Sequence, residues 1–303
     1  MENLFEKECV KEKEKIVSRW SGRDIFVLSD LHIGNGAAKD NLLKCDRQLL
    51  LYRLLDKIDR TDGRLVILGD LFELLRYPPE AVFERWTKLL DRLAAMDVMY
   101  VPGNHDGLLW GQRRTWRHQH PFFESLRKPF AMTIGGKRFG FMHGHEVDPM
   151  ISERMVKWRI ALCALASSLE FGTNNCLITS DVFTDVLLEA GEQCLHWWER
   201  LTRQWNRAVH EHLGLCEDGW RRLIRPMRTR NMMARFLQQH QQGIYDITIT
   251  GHTHHAGQLG NWYYNCGSWT QSVVNYLRIR PDGSVEVKDY AAQGEKINSS
   301  AVL

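Results

Sequence analysis

The chain lacks cysteines that are closely spaced in the sequence. Seven of its 303 residues are cysteine, which is an odd number, and no two of them form a Cys-x-x-Cys motif. Disulfide frameworks and zinc knots are built from paired cysteines at such spacings. The absence of such pairs argues against a disulfide-rich domain and against a zinc-binding domain of this kind. It predicts reduced thiols, as in a cytosolic protein.

Long apolar runs are also missing. Residues 1–15 are dense in Glu and Lys and contain no apolar stretch of the kind found in secretory signals. The most apolar later stretch, residues 160–169, is about half as long as a membrane-spanning helix. We therefore expect a cytoplasmic protein without a transmembrane segment, and we leave peripheral membrane contact open.

Neither sign of charge dominates the composition. The formal net charge is +3 and 25% of the residues are charged, as in ordinary soluble globular proteins. This balance does not favour nucleic acid as a partner, although it does not exclude it. The length allows one or two domains with a full hydrophobic core, and the oligomeric state is not indicated.

Five short apolar runs are each followed by residues that can bind a metal. The runs cover residues 25–28, 65–68, 98–101, 139–142 and 247–250. The segments that follow them are Ser29-Asp30-Leu31-His32, Gly69-Asp70, Pro102-Gly103-Asn104-His105-Asp106, His143-Gly144-His145 and Gly251-His252-Thr253-His254-His255. Such runs predict strands buried on both faces. Open α/β sheets form their sites at the carboxyl ends of such strands.

The side chains in these segments match the preferences of divalent transition metals. Carboxylate, imidazole and amide oxygen suit Mn, Fe and Zn, and no thiolate is needed. Seven candidate ligands are more than one ion uses: Asp30, His32, Asp70, Asn104, His143, His252 and His254. A carboxylate can bridge two ions about 3.5–4 Å apart. The pattern therefore predicts a site for two metal ions.

Taken in order, these motifs resemble those of the calcineurin-like metallophosphoesterases, and the resemblance covers residues 1–149 and 244–303. It implies a first metal held by Asp30, His32 and His254, a second held by Asn104, His143 and His252, and Asp70 bridging the two. It also implies that His105 donates a proton to the leaving group and that Asp106 helps to orient His105. The implied cofactors are two divalent ions, Mn²⁺ before Fe or Zn.

The same resemblance implies hydrolysis of a phosphate ester or pyrophosphate bond by a hydroxide that bridges the metals. The Gly-Asp-Leu-Phe-Glu run at 69–73 is similar to that of the UDP-2,3-diacylglucosamine hydrolases, although those enzymes usually carry Arg in place of His105. The expected substrate is an anionic small molecule, such as a nucleotide-linked or lipid-linked phosphate. The alternatives are a Ser/Thr-type protein phosphatase, a nuclease of the same superfamily, and a non-catalytic metal-binding scaffold for protein partners.

Four further residues are candidates for substrate contact or for support of the ligands. Glu73 follows Asp70 by three positions and is expected to support the ligands. His145, followed by Glu146 and Asp148, comes directly after the fourth motif. Arg225 and Arg228 belong to a run of arginines without an acidic residue, which forms either a solvated helix face or a wall for an anionic substrate.

The predicted fold class is α/β, a layered sandwich of two mixed β-sheets flanked by helices, with a large helical insertion. Its parts are a first core segment at 1–149, a helical cap at 150–243 and a second core segment at 244–303. Within the core we expect helices over 41–59 and 80–96, an irregular loop over 112–120, and hairpins at Gly135-Gly136 and within 262–290.

Overall fold

The structure is a computed structural model, and it describes residues 18–19, 22–37, 40–148, 227–271, 273–291 and 294–297. Its strands are β1 Ser18–Arg19, β2 Ile25–Leu28, β3 Arg64–Leu68, β4 Val98–Val101, β5 Phe130–Ile134, β6 Lys137–Phe141, β7 Ile247–Thr250, β8 Gly257–Leu259, β9 Tyr263–Asn265, β10 Val274–Ile279, β11 Val285–Ala291 and β12 Gly294–Ile297.

These strands form two mixed sheets in the described part of the chain. The first has the order β12-β11-β10-β2-β3-β4, in which β2, β3 and β4 are parallel and β10 to β12 are antiparallel. The second has the order β1-β5-β6-β7-β9-β8, with β6, β7 and β9 parallel. Four of the five motif strands, β2, β3, β6 and β7, therefore lie inside the sheets, whereas β4 is at an edge of the first sheet, and the carboxyl ends of these strands can meet.

The helices connect these strands. The α-helices in the described residues are α1 Arg47–Arg60, α2 Pro79–Arg85, α3 Thr87–Ala94, α4 Leu108–Gly111, α5 Arg113–Gln119 and α6 Met227–Gln241. The same residues include three short 3₁₀ helices, Asn41–Leu43, Pro121–Ser125 and His145–Val147. None of the helices in the described part of the chain has both the length and the apolar character that a bilayer crossing requires.

The side chains alternate between faces of the first sheet and so build two cores. Val27 and Val66 point to one face and pack with Phe139 and Ile249 of the second sheet. Phe26 and Leu28 point to the other face and pack with the helices, including Leu50 and Leu54 of α1. A third apolar cluster places Met232, Met233 and Phe236 of α6 against Tyr263 in β9.

This architecture confirms the predicted class of two mixed sheets flanked by helices. The turn at Gly135 and Gly136 is also confirmed, since both residues have positive φ and join β5 to β6. Most of the predicted helical insertion lies outside the described residues, which include α6 and the short link that follows it. Cys45 and Cys266, the two cysteines in the described part, are both free thiols.

Candidate metal centre

Five of the seven predicted ligands have a backbone conformation that residues other than glycine rarely adopt. Asp30, His32, Asp70, His252 and His254 all have φ between 48° and 70°. Left-handed backbone at non-glycine residues costs free energy and is concentrated at functional sites. The fold therefore uses strained backbone to turn these side chains toward one place.

Backbone hydrogen bonds join the loops that carry these residues. The Asp30 amide donates to the Gly69 carbonyl at 3.1 Å, and the His32 amide donates to the Asp70 carbonyl at 2.9 Å. Gly69 has φ of +81°, and a Cβ at this position would overlap the His143 ring. Glycine is thus required there for two reasons, since it permits the turn and lets a histidine from the second sheet approach the first.

The first predicted ligand group lies together in the structure. Asp30 Oδ1 is 3.1 Å from His254 Nε2 and 3.9 Å from His32 Nε2. The two imidazole nitrogens are 3.3 Å apart. Asp30 Oδ2 is held by the Ser29 hydroxyl and by the His252 amide, which donates at 2.9 Å. Its other oxygen therefore faces the two imidazoles.

The second predicted group lies on the other side of Asp70. His143 Nε2 is 3.2 Å from Asn104 Oδ1 and 3.3 Å from Asp70 Oδ2. A ligand atom of His252 lies within 4.8 Å of those of Asp70 and His143. Asp70 Oδ2 is also 3.8 Å from His32 Nε2, so this carboxylate stands between the two groups, as expected for a bridging ligand.

These spacings fit metal coordination. Because metal–nitrogen bonds are about 2.1 Å long, two donor atoms that bind one ion at right angles lie about 3 Å apart. The pairs within the two groups that lie 3.1–3.3 Å apart match this value. Two imidazole nitrogens facing each other beside a buried carboxylate also require a shared proton or a cation between them.

The charges in the site also favour a cation. Burial alone would raise the pKa of Asp70, but the imidazoles of His143 and His105 hold it well below its ordinary value. Burial disfavours charge on His143, yet neighbouring Asp70 raises the pKa of that imidazole to about 10. The buried carboxylate is therefore ionised at neutral pH and attracts positive charge, which a divalent ion supplies.

Glu73 joins the first ligand group to His105. Its two oxygens each lie 2.8 Å from a ring nitrogen, Oε2 from His32 Nδ1 and Oε1 from His105 Nδ1. Burial alone would raise the pKa of Glu73, but the two imidazoles lower it to about 2. The carboxylate is therefore charged at neutral pH, and it fixes the orientation of both rings.

Asp106 is fully buried and holds backbone in place. Its carboxylate accepts hydrogen bonds from the amides of Gly103 at 2.6 Å, Phe72 at 3.2 Å and Asp70 at 3.3 Å, and from the Tyr100 hydroxyl. Burial and the charge of Asp70 raise its pKa to about 6. Asp106 thus ties the Asp70 loop to the Gly103 loop, and Glu73 is a carboxylate that contacts the His105 ring.

The remaining predicted residues have different outcomes. His145 is half-buried beside the second ligand group, and the centroid of its ring lies 5.3 Å from the centroid of the His143 ring. Arg225 lies outside the described residues, and only the backbone of Arg228 is described, in α6. The sequence interpretation missed Ser29 and Tyr100, which hold Asp30 and Asp106. The position of Ser29 next to Asp30 could have indicated its contact with that carboxylate, but nothing in the sequence indicated the contact of Tyr100 with Asp106.

With this geometry established, comparison with known proteins defines the class. The family profile described as calcineurin-like phosphoesterase matches residues 24–256, and the chain belongs to that family. The solved structure of wild-type Vps29 complexed with Zn²⁺ from Entamoeba histolytica is similar at 16% identity and a TM-score of 0.41, covering 91% of this chain and 97% of that one. No curated protein matches the chain significantly.

Proposed function

We propose that this protein is a metal-dependent phosphoesterase with two divalent ions, which hydrolyses a phosphate ester or pyrophosphate bond. The observation that carries the proposal is the pair of ligand groups on either side of Asp70, with His105 alongside. The ligands would be Asp30, His32 and His254 for one ion, Asn104, His143 and His252 for the other, and Asp70 for both.

The metals would supply charge, and the protein would supply position and a proton. When bound, two divalent ions act as Lewis acids toward the phosphoryl oxygens and activate water at neutral pH. His105 Nδ1 faces the ionised Glu73, which stabilises the doubly protonated imidazolium. His105 Nε2 is then the atom that donates a proton to the departing oxygen.

We propose manganese as the native metal, with iron or zinc as the alternatives. The donor set consists of imidazole nitrogens, carboxylate oxygens and one amide oxygen, without thiolate. Such mixed nitrogen and oxygen sets suit these metals, and availability in the cell selects among them. We propose a cytoplasmic location, because the cysteines show no disulfide spacing.

Two arginine–aromatic pairs follow the motifs in sequence, and we propose that they contact an anionic substrate with a ring or an apolar part. The Arg113 guanidinium lies 4.5 Å from the Trp110 ring, a few residues after His105. Arg76 lies 5.5 Å from the Tyr77 ring, just after Glu73. Arginine suits phosphate oxygens and an aromatic ring offers a stacking face. A nucleotide-linked or lipid-linked phosphate, as in the UDP-2,3-diacylglucosamine hydrolases, would use both.

A substrate panel tests this function. Protein loaded with Mn²⁺ is incubated with phosphomonoesters, chromogenic diesters, nucleotide sugars, UDP-2,3-diacylglucosamine, a phosphopeptide and single-stranded DNA. We expect hydrolysis of the diesters and the highest kcat/KM on a nucleotide-linked pyrophosphate. Preference for the phosphopeptide or for DNA would instead select the protein phosphatase or the nuclease. Absence of hydrolysis throughout, with both metals bound, would contradict an enzymatic function and favour a scaffold.

A further inference from the structure

A second buried carboxylate, outside the predicted ligand set, contacts a ligand histidine. Asp148 is buried, and its Oδ2 lies 2.8 Å from Nε2 of His252. At this distance the imidazole N–H donates to the carboxylate. A histidine that donates from Nε2 binds a metal through its other nitrogen, Nδ1.

The structure holds Asp148 firmly in this place. It follows the 3₁₀ helix His145–Val147, whose Glu146 carboxylate accepts from the amides of His143 at 3.3 Å and Gly144 at 2.7 Å. Arg235 of α6 donates to the Val147 carbonyl at 3.1 Å. Val147 itself packs in the cluster formed by Met232, Met233 and Phe236. The contacts of the loop thus come from both its own turn and a separate helix.

The arrangement at His252 mirrors the arrangement at His32. His32 faces Glu73 through Nδ1 and faces the first ligand group through Nε2. His252 faces Asp148 through Nε2, so the roles of its two nitrogens are exchanged. The His143 ring is held by a backbone group instead of a carboxylate, since its Nδ1 donates to the Leu68 carbonyl at 2.6 Å. Each of these three rings therefore has one nitrogen held by the protein.

We propose that Asp148 is a positioning residue for the second metal. It fixes the ring of His252 and the nitrogen that carries its proton, so that Nδ1 serves the ion. Arg235 contributes by anchoring the loop. The proposal rests on the dinuclear site proposed above and adds that the two metals have separate supporting carboxylates, Glu73 for the first and Asp148 for the second. Such partners typically change metal affinity by about 10- to 100-fold.

Calorimetric titration of Mn²⁺ into metal-free protein tests this assignment. The variant Asp148→Asn keeps the shape of the side chain and removes its charge. We expect the wild type to bind two ions, and Asp148→Asn to bind one ion normally and the other about 10- to 100-fold more weakly. Glu73→Gln should weaken the other site by a similar factor. Asp24→Asn, which breaks an ion pair with Arg278 at the opposite end of β2, should leave both affinities unchanged.

Nitrogen NMR of the zinc-loaded, ¹⁵N-histidine-labelled protein supplies a readout that a merely structural role would not move. In the wild type we expect His252 to be protonated at Nε2 and bound through Nδ1, and in Asp148→Asn we expect this signature to be lost. Arg235→Met keeps the Asp148 carboxylate and removes the side chain that anchors its loop. This variant serves as the test if Asp148→Asn does not fold, and it should weaken metal binding at the second site only. Two sites of unchanged affinity in the folded variants would overturn the proposal. A wild type that binds no metal would instead overturn the proposed function.

Discussion

Replacing Asp70 by Asn is expected to lower kcat/KM by about 10³-fold or more. The side chain stands between both ligand groups, 3.3 Å from His143 and 3.8 Å from His32, so its change affects both ions. Metal ions contribute several kcal/mol of transition-state stabilisation, and each ~1.4 kcal/mol changes a rate tenfold. The measurements are the initial rate on a chromogenic diester and the metal content of the same sample.

The matched control for this variant is Asp24→Asn. Asp24 carries the same group on the same segment of chain as Asp30 but lies before β2, where it pairs with Arg278. This control should retain two ions and the wild-type rate. Full activity of Asp70→Asn with two bound ions would contradict the bridging role of Asp70.

Replacing His105 by Ala is expected to keep both metals and lower the rate by about 10²–10⁴-fold on substrates with poor leaving groups. Glu73 holds His105 Nδ1 at 2.8 Å, and this arrangement favours the charged imidazolium that donates from Nε2. An alkoxide needs that proton to depart, whereas a nitrophenolate is a stable anion without it.

The comparison between leaving groups therefore decides the role of His105. The rates of the wild type and of His105→Ala are measured on a nitrophenyl ester and on an alkyl ester of the same phosphate. A much smaller loss on the nitrophenyl ester would support proton donation. An equal loss on both would show that His105 binds substrate or shapes the site without donating the proton.

The strand positions could be predicted because the buried strands have a simple signal. Residues 25–28 and 65–68 are continuous apolar runs, and the structure buries every side chain in both. A run of that kind followed by Asp or His marks both the strand and the edge of the sheet where it ends. The local sequence therefore contained most of the information about which residues meet.

Two core segments were predicted wrongly, for reasons of packing. Residues 112–120 were expected to be an irregular loop, but 113–119 form helix α5. The buried residue of α5 is Trp116, which packs on Phe83 and Phe123. Because one apolar residue in two helical turns forms no periodic pattern, the sequence did not indicate this helix. The predicted helix over 80–96 is broken at Trp86, whose indole donates to the Gly34 carbonyl in a long-range contact.

The part of the site that could not be predicted depends on backbone conformation and tertiary contacts. No local pattern shows that Asp30 or His254 adopts left-handed backbone, because the contacts of such residues come from distant parts of the chain, as in the hydrogen bond from the Asp30 amide to the Gly69 carbonyl. Glu73 was expected to support the ligands, but its contact with two different imidazoles depends on how the loops meet. The contacts of Asp106 with three backbone amides and with the Tyr100 hydroxyl depend on how the loops meet in the same way, and its predicted role in orienting His105 stays a prediction.

The predicted domain boundaries and the cap at 150–243 stay predictions. The structure does show that helix α6, which follows 149–226, contacts the residues that precede this segment, since Arg235 donates to the Val147 carbonyl. Asp148 follows Val147 and contacts His252. The chain on both sides of that segment is thus tied to a predicted metal ligand, which makes the second metal the place to look for any influence of the segment on catalysis.

The most direct test of a two-metal phosphoesterase is a metal titration in which the hydrolysis rate of the protein is measured. Metal-free protein receives Mn²⁺ in small steps, and the initial rate of hydrolysis of a chromogenic phosphodiester is measured after each step. Binding through two groups that share Asp70 predicts no hydrolysis without metal and a rate that rises until two ions are bound per chain, then stays constant. Hydrolysis that is independent of metal, or that saturates at one ion per chain, would contradict it.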